Sequence, residues 1–209
     1  MTRCWTLQGD PSPDDLRDLA KILIDGGVAL LPTDTIYGLH ALANHQSAIL
    51  RIASMKSRDD TKPFIILGSS LDQLEIAGAA PSDRIRPFLE ELWPGPLTAI
   101  VPLSKPIAAS RGASSIGMRV PDLAWLRALL ERTGPLASTS ANRSGESPIT
   151  SPQSLSDDLQ IHLDALVDAG PLEGKASVLV DFTGDEPRFI RDGERLFTQK
   201  VWKTLRKSL

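Results

Sequence analysis

Apolar positions along this chain switch repeatedly between a helical and a strand period. Leu16, Leu19, Ala20 and Leu23 recur at helical spacing. Ahead of them, Ser12-Pro13-Asp14-Asp15 supplies an N-cap, a proline suited to the first helical position and two acids facing the positive end of the dipole. Gly26-Gly27 stops this helix. Residues 28–31 form a short continuous apolar run that predicts a buried strand, and Pro32 to Leu39 is read as a loop after it. Ile49, Ile52 and Ala53 predict a second helix ending near Lys56, and residues 64–67 another buried strand. Residues 71–77 and 82–92 read as helical, with Pro87 a break or restart. A hard turn at Trp93-Pro94-Gly95-Pro96 leads into strands at 97–101 and 116–120. Leu123, Leu126, Leu129 and Leu130 mark an amphipathic helix that ends at Gly134. A strand at 136–139 follows. A helix is predicted to open at Ser151-Pro152 and run to about Leu163. Strands at 165–167, 178–182 and 188–190 precede a basic terminal helix over 198–207.

Interleaved helices and strands define an α/β class. Strict alternation fails in the second half, where strands follow one another closely, so a mixed sheet in one domain is expected. The 209 residues, 41% hydrophobic and 23% charged, suffice for a sizeable core. No segment approaches the ~18 apolar residues of a membrane helix. The N-terminus has no apolar run of a secretory signal, so a cytoplasmic protein is expected. The sole cysteine, Cys4, excludes an internal disulfide framework. His40, His45 and His162 are read as surface or packing residues. A net charge of −3 argues against a chain built mainly to hold nucleic acid, although Arg51, Lys56, Arg58 and Lys62 make a local basic cluster.

Standard motifs are absent. Residues 112–119 have the glycine spacing of a P-loop, but Met118 stands where its lysine should be, and a strand rather than a helix follows. No dinucleotide fingerprint, nucleophile elbow or paired-histidine zinc motif occurs. Polar residues instead collect at strand ends, where α/β sheets place ligand sites: Thr33-Asp34-Thr35, Lys56-Ser57-Arg58 with Lys62, and Ser138 to Asn142. Hydroxyls, an amide and cations together suit a phosphate-bearing ligand. Each cluster taken alone also fits a plainer role. Lys56 and Arg58 could complete a helix dipole, and Ser138 to Asn142 could be turn chemistry. Arg119 inside an apolar strand is harder to dismiss, because a charge there needs a partner or a ligand. Alternation places Gly117 on the same face, which should leave that face open.

Six motifs in order carry a resemblance: PTDTIYGL (32–39), KSR with KPF (56–58, 62–64), SIGMRVP (115–121), STSANRSG (138–145), ASVLVD (176–181) and IRDG (190–193). Over about residues 15–195 the chain resembles the YrdC-like family of L-threonylcarbamoyladenylate synthases, in a short form without an extra C-terminal domain. The resemblance implies a twisted α/β sheet curved around a large cavity. It implies a nucleotidyltransferase that joins L-threonine, bicarbonate and ATP into threonylcarbamoyl-AMP and pyrophosphate, with Mg²⁺ accompanying ATP. The product serves the threonylcarbamoyl modification of tRNA adenosine 37 through downstream transfer proteins; the sequence leaves a direct tRNA contact open. By motif position, Lys56, Arg58 and Lys62 are the expected catalytic cations around the phosphates. Arg58, Lys62, Ser115, Ser140, Asn142, Pro148 and Arg191 are expected at the nucleotide. Thr35, Ser115, Arg119, Ser138 and Ser177 are expected at threonine, and no protein ligand for a metal is implied. Val178 and Asp192 depart from the family pattern; a proline in place of Asp192 would fix the turn after Arg191. A non-catalytic RNA-binding module and a paralogue acting on another small acceptor stand as alternatives.

Overall fold

In the computed structural model, residues 2–56, 62–143 and 146–208 are described. Arg58 lies outside the described residues. Among these residues ten strands form one sheet, in the order β1-β8-β2-β3-β7-β4-β6-β5-β9-β10. They are β1 (Arg3–Thr6), β2 (Ala29–Pro32), β3 (Tyr37–Leu42), β4 (Ile65–Leu67), β5 (Leu97–Pro102), β6 (Ser115–Arg119), β7 (Leu136–Ser140), β8 (Ala165–Asp168), β9 (Val178–Asp181) and β10 (Arg188–Arg191). The helices are α1 (Pro13–Ile24), α2 (Gln46–Met55), α3 (Leu71–Ala77), α4 (Arg86–Leu92), α5 (Ala124–Thr133), α6 (Asp157–Gln160) and α7 (Arg195–Ser208). The sheet is mixed as expected: β2, β3, β7 and β4 run antiparallel in succession, while β4 pairs β6 and β5 pairs β9 in parallel.

Local chemistry explains the boundaries. Ser12 and Asp15 form a capping box at α1, each side chain accepting from the other's backbone N–H. Pro87 sits in the first turn of α4, where its missing N–H costs nothing, so it restarts a helix rather than kinking one. Two expectations about the elements fail, and one strand was not predicted. Pro32 to Leu39 is not all loop, since Tyr37 begins β3, a strand held between β2 and β7. The helix expected from Ser151 to Leu163 is only a 3-10 turn at Pro152–Ser154 and the single turn of α6, because Leu155 adopts an extended backbone. The strand β1 carries no apolar run; it is held by parallel pairing to β8 at the sheet edge.

Alternation divides the sheet's side chains between two apolar clusters. Leu31, Leu67 and Leu136 pack on one face under α1 and α5. Leu30, Leu39, Ile66, Ala137 and Met118 pack on the other with α2 and α4. The face under α1 and α5 continues beyond those helices as the residues that carry polar groups.

Candidate active site

Strand register builds the site. Gly38 opposes Ser140 and His40 opposes Ser138 across β3 and β7, and Ile65 of β4 opposes Ser138 on its other side. Arg119 ends β6 beside Leu67. The turn before β3 adds Thr35, and the segment before β9 adds Ser177. A pocket of about 240 Å³ lies among them, lined by Thr35, Arg119, Ser138, Ser140, Ser177 and Arg191.

Arg119 is 3% exposed. Its Nε donates to the Gly95 carbonyl at 3.2 Å, and its Nη1 to Thr35 Oγ1 at 2.9 Å. Its Nη2 lies 2.5 Å from Asp34 Oδ1. That contact is close in distance but not aligned as a hydrogen bond, and both Asp34 oxygens are buried without another partner among the described residues. Charge therefore holds this pair, and Asp34, which the sequence offers as loop chemistry, is the counter-ion of Arg119. Thr33 Oγ1 donates to the Ile36 carbonyl, so the Thr33–Thr35 contact at 2.8 Å is a hydrogen bond given by Thr35. Thr35 thus accepts from Arg119 and donates to Thr33. The face beside Gly117 is not open as expected. A Cβ there would stand 2.8 Å from Ile65 Cγ2 and 3.2 Å from Thr98 Cγ2, so these side chains occupy the space the glycine leaves.

Arg191 faces the same pocket. It donates through Nε to the Ser177 carbonyl at 3.1 Å and through Nη2 to Ser177 Oγ at 3.3 Å. Burial, and then the positive charge of Arg119, lowers its pKa; it stays protonated all the same. Among the described residues Arg191 has no carboxylate partner. Two guanidiniums with one carboxylate between them leave the pocket short of negative charge, which suits an anionic ligand.

Other expected residues stand apart from this pocket. Lys56 is buried, and its Nζ donates to the carbonyls of Ser140 and Asn142, each at 2.6 Å. Asn142 is also buried, its amide turned to the carbonyls of Arg143 and Glu146. The two brace the end of β7 from behind. Ser115 begins β6, on the same face as Arg119 but outside the pocket lining. Lys62 is exposed and next to Pro63, which lines the pocket. Pro148 is exposed in the segment after residue 146.

The segment that delivers Ser177 is clamped onto the Thr33–Tyr37 turn. Tyr37 is fully buried; its hydroxyl donates to the Gly170 carbonyl at 2.7 Å and accepts from the Ala169 N–H at 3.0 Å. Gly174 packs so tightly that a Cβ would stand 1.9 Å from the Thr35 carbonyl oxygen. Gly174→Ala is therefore expected to push the segment off the turn and to cost about 1–3 kcal/mol, as overpacking does. Urea denaturation measures the cost, and an unchanged midpoint would show that the segment is not held here.

Sequence reasoning missed His40. Read there as a surface or packing residue, it is fully buried and bonded at the site, with Nδ1 at 2.9 Å from the Gly38 carbonyl and Nε2 at 3.1 Å from Ser138 Oγ. Burial pushes its pKa down to about 4. The signal lay in the alternation of Tyr37, Leu39 and Ala41, which turns His40 to the polar face of a central strand.

The Sua5/YciO/YrdC family model, described as telomere recombination, matches residues 21–193. The threonylcarbamoyl-AMP synthase of Bacillus subtilis (strain 168) is 34% identical over 181 residues, 83% of this chain and 52% of that protein. The crystal structure of Pyrococcus abyssi Sua5 complexed with L-threonine superposes with a TM-score of 0.87 at 28% identity, covering 96% of this chain and 61% of that one. The crystal structure of Escherichia coli YciO gives a TM-score of 0.83 at 26% identity, covering 93% and 97%. The chain thus spans about half the length of the B. subtilis relative and nearly all of the E. coli one.

Proposed function

The chain belongs to the Sua5/YciO/YrdC family, and from that premise we propose that it is a nucleotidyltransferase that makes threonylcarbamoyl-AMP and pyrophosphate from L-threonine, bicarbonate and ATP. The observation that carries the reading is the pairing of Arg119 and Arg191 with four hydroxyls around one pocket. Threonine carbamate and the α-phosphate of ATP are both anionic, so their approach needs fixed positive charge. Arg119 faces the amino acid, held in place by Thr35 and Asp34. Arg191, Ser140, Lys62 and Arg58 serve the nucleotide, and Ser177 and Ser138 lie toward the amino acid. Lys56 and Asn142 act by holding Ser140 and the end of β7. The carbamate is already ionised and pyrophosphate leaves readily, so positioning supplies much of the rate. Mg²⁺ comes with the triphosphate. Among the described residues no group of three acidic, histidine or cysteine side chains could hold it, and the Asp34 oxygens are committed against Arg119. The product would pass to tRNA adenosine 37 through transfer proteins.

The near-complete match to the E. coli YciO chain favours a second reading, a paralogue using another small acceptor. Pyrophosphate release from ATP separates the two: it should require both L-threonine and bicarbonate. Equal release without an amino acid would sink the synthase reading. Arg119→Lys keeps the charge beside Asp34 but loses the planar fork. Calorimetry should show threonine affinity lower by at least about tenfold, with ATP affinity changed much less. Normal threonine binding in this variant would move the threonine site away from Arg119.

A further inference from the structure

We propose that His40 is a positioning residue that locks the Ser138 hydroxyl as a hydrogen-bond acceptor toward the pocket, so that this wall selects a ligand group that donates, such as an amine or carbamate N–H. The inference rests on the reading of the pocket as an amino-acid site and deepens it.

The chain of assignments is forced by donors and acceptors. The Gly38 carbonyl can only accept, so the His40 Nδ1 at 2.9 Å from it carries the proton. The opposite ring orientation would set carbon atoms against both Gly38 O and Ser138 Oγ, so it is excluded. His40 is fully buried and has no carboxylate against it among the described residues. The imidazole is therefore neutral, in keeping with a pKa held near 4 by burial. A neutral ring protonated on Nδ1 has a bare lone pair on Nε2. Ser138 Oγ, 3.1 Å away, must give its one hydrogen to that lone pair. What Ser138 has left for the pocket is lone pairs alone.

The arrangement is built rather than incidental. His40 and Ser138 are direct partners in the β3–β7 register. The ring has room because position 38 is glycine: a Cβ there would stand 2.8 Å from His40 Cε1. Ser138 is 8% exposed and lines the pocket. The guanidiniums of Arg119 and Arg191 donate into the same pocket, so Ser138 adds the opposite polarity. A zwitterionic amino acid needs both: donors for its carboxylate and an acceptor for its nitrogen.

The test has a spectroscopic arm and a binding arm. A long-range ¹H–¹⁵N spectrum of the whole chain near neutral pH should show His40 protonated on Nδ1 and bare on Nε2. A protonated Nε2 overturns the lock. Calorimetry then compares L-threonine with its deaminated analogue, β-hydroxybutyrate. The wild type should prefer threonine by at least about tenfold. His40→Phe keeps a ring but frees the Ser138 hydroxyl to turn and donate. Most of that preference should vanish, through weaker threonine binding and unchanged or tighter binding of the analogue. Ser138→Ala, a smaller change to the fold, should lose the preference too while leaving the His40 tautomer intact. Equal weakening of both ligands in both variants would show that the pair merely holds the strands together. Failure of the wild type to bind L-threonine would overturn the substrate reading instead, and the spectrum would still decide the lock.

Discussion

Arg119→Ala is expected to lower the stability of the folded chain by about 3–5 kcal/mol, the cost of leaving a buried charge without its partner. Asp34 is only 10% exposed, and its two oxygens have no other partner among the described residues. Removing the guanidinium also strips donors from the Gly95 carbonyl and Thr35 Oγ1. The double variant Asp34→Ala/Arg119→Ala should recover part of the loss, because no uncompensated carboxylate remains. In a double-mutant cycle the two residues should couple by at least about 1 kcal/mol. Urea midpoints on the four proteins measure this. A loss below about 1 kcal/mol for Arg119→Ala, within the range of exposed pairs, would mean that water already screens the pair. The prediction separates the two duties of Arg119: Arg119→Ala reads its place in the fold, and Arg119→Lys its grip on the ligand.

The second large effect is a dependence of stability on pH that belongs to His40. Burial depresses its pKa from the ordinary 6.5 to about 4. Above pH 6.5 neither the folded nor the unfolded chain binds a proton there, and the residue contributes no slope. Between 6.5 and about 4 the unfolded chain binds the proton and the folded chain does not, so stability falls as pH falls. Below about 4 both forms bind it and the loss stops growing, at about 3 kcal/mol. Asp158, held below the ordinary carboxyl range first by its Arg143 hydrogen bond, and Glu194, held there first by the Leu196 backbone N–H, add losses at lower pH. These are common to the wild type and to His40→Phe, so they cancel in the comparison. Urea midpoints taken from neutral to acidic pH should diverge between the two proteins, the variant falling less. Parallel curves would show that His40 titrates as an exposed histidine does.

The two effects differ in how far the sequence announces them. Arg119 stands out in the sequence because Ile116, Met118 and Val120 around it are apolar, and a cation in such a run needs a reason. Its counter-ion does not stand out. Asp34 sits in a polar turn where an acid is ordinary, and only the pairing of β4 with β6 and the turn before β3 brings the two together. Arg191 shows a similar limit. Asp192 gives its turn none of the stiffness a proline would, yet Arg191 is held by Ser177 from a neighbouring strand-end.

Local pattern determined much of this protein. The Ser12 cap with its acids, the helical repeat of Leu16 to Leu23, the apolar runs of the buried strands and the glycines at helix ends each act within a few residues. Their physics is therefore complete in the sequence around them. The strand β3 shows where that completeness ends. Tyr37, Leu39 and Ala41 do alternate, but Gly38 reads as part of a loop until the Thr139 carbonyl and the His40 ring are seen to crowd its missing side chain. Tertiary structure alone decided which strands became neighbours. His40 and Ser138 are 98 residues apart, and alternation says only that each faces one side of its own strand. Their opposition follows from the pairing and register of β3 with β7. Those are fixed by burying Leu39 and Ala137 in the one cluster and Leu136 in the other, since a slip of one residue would turn each to the wrong face. The pocket exists for that reason: its hydroxyls and guanidiniums come from segments far apart in the chain, and only the packing of the whole sheet makes them converge.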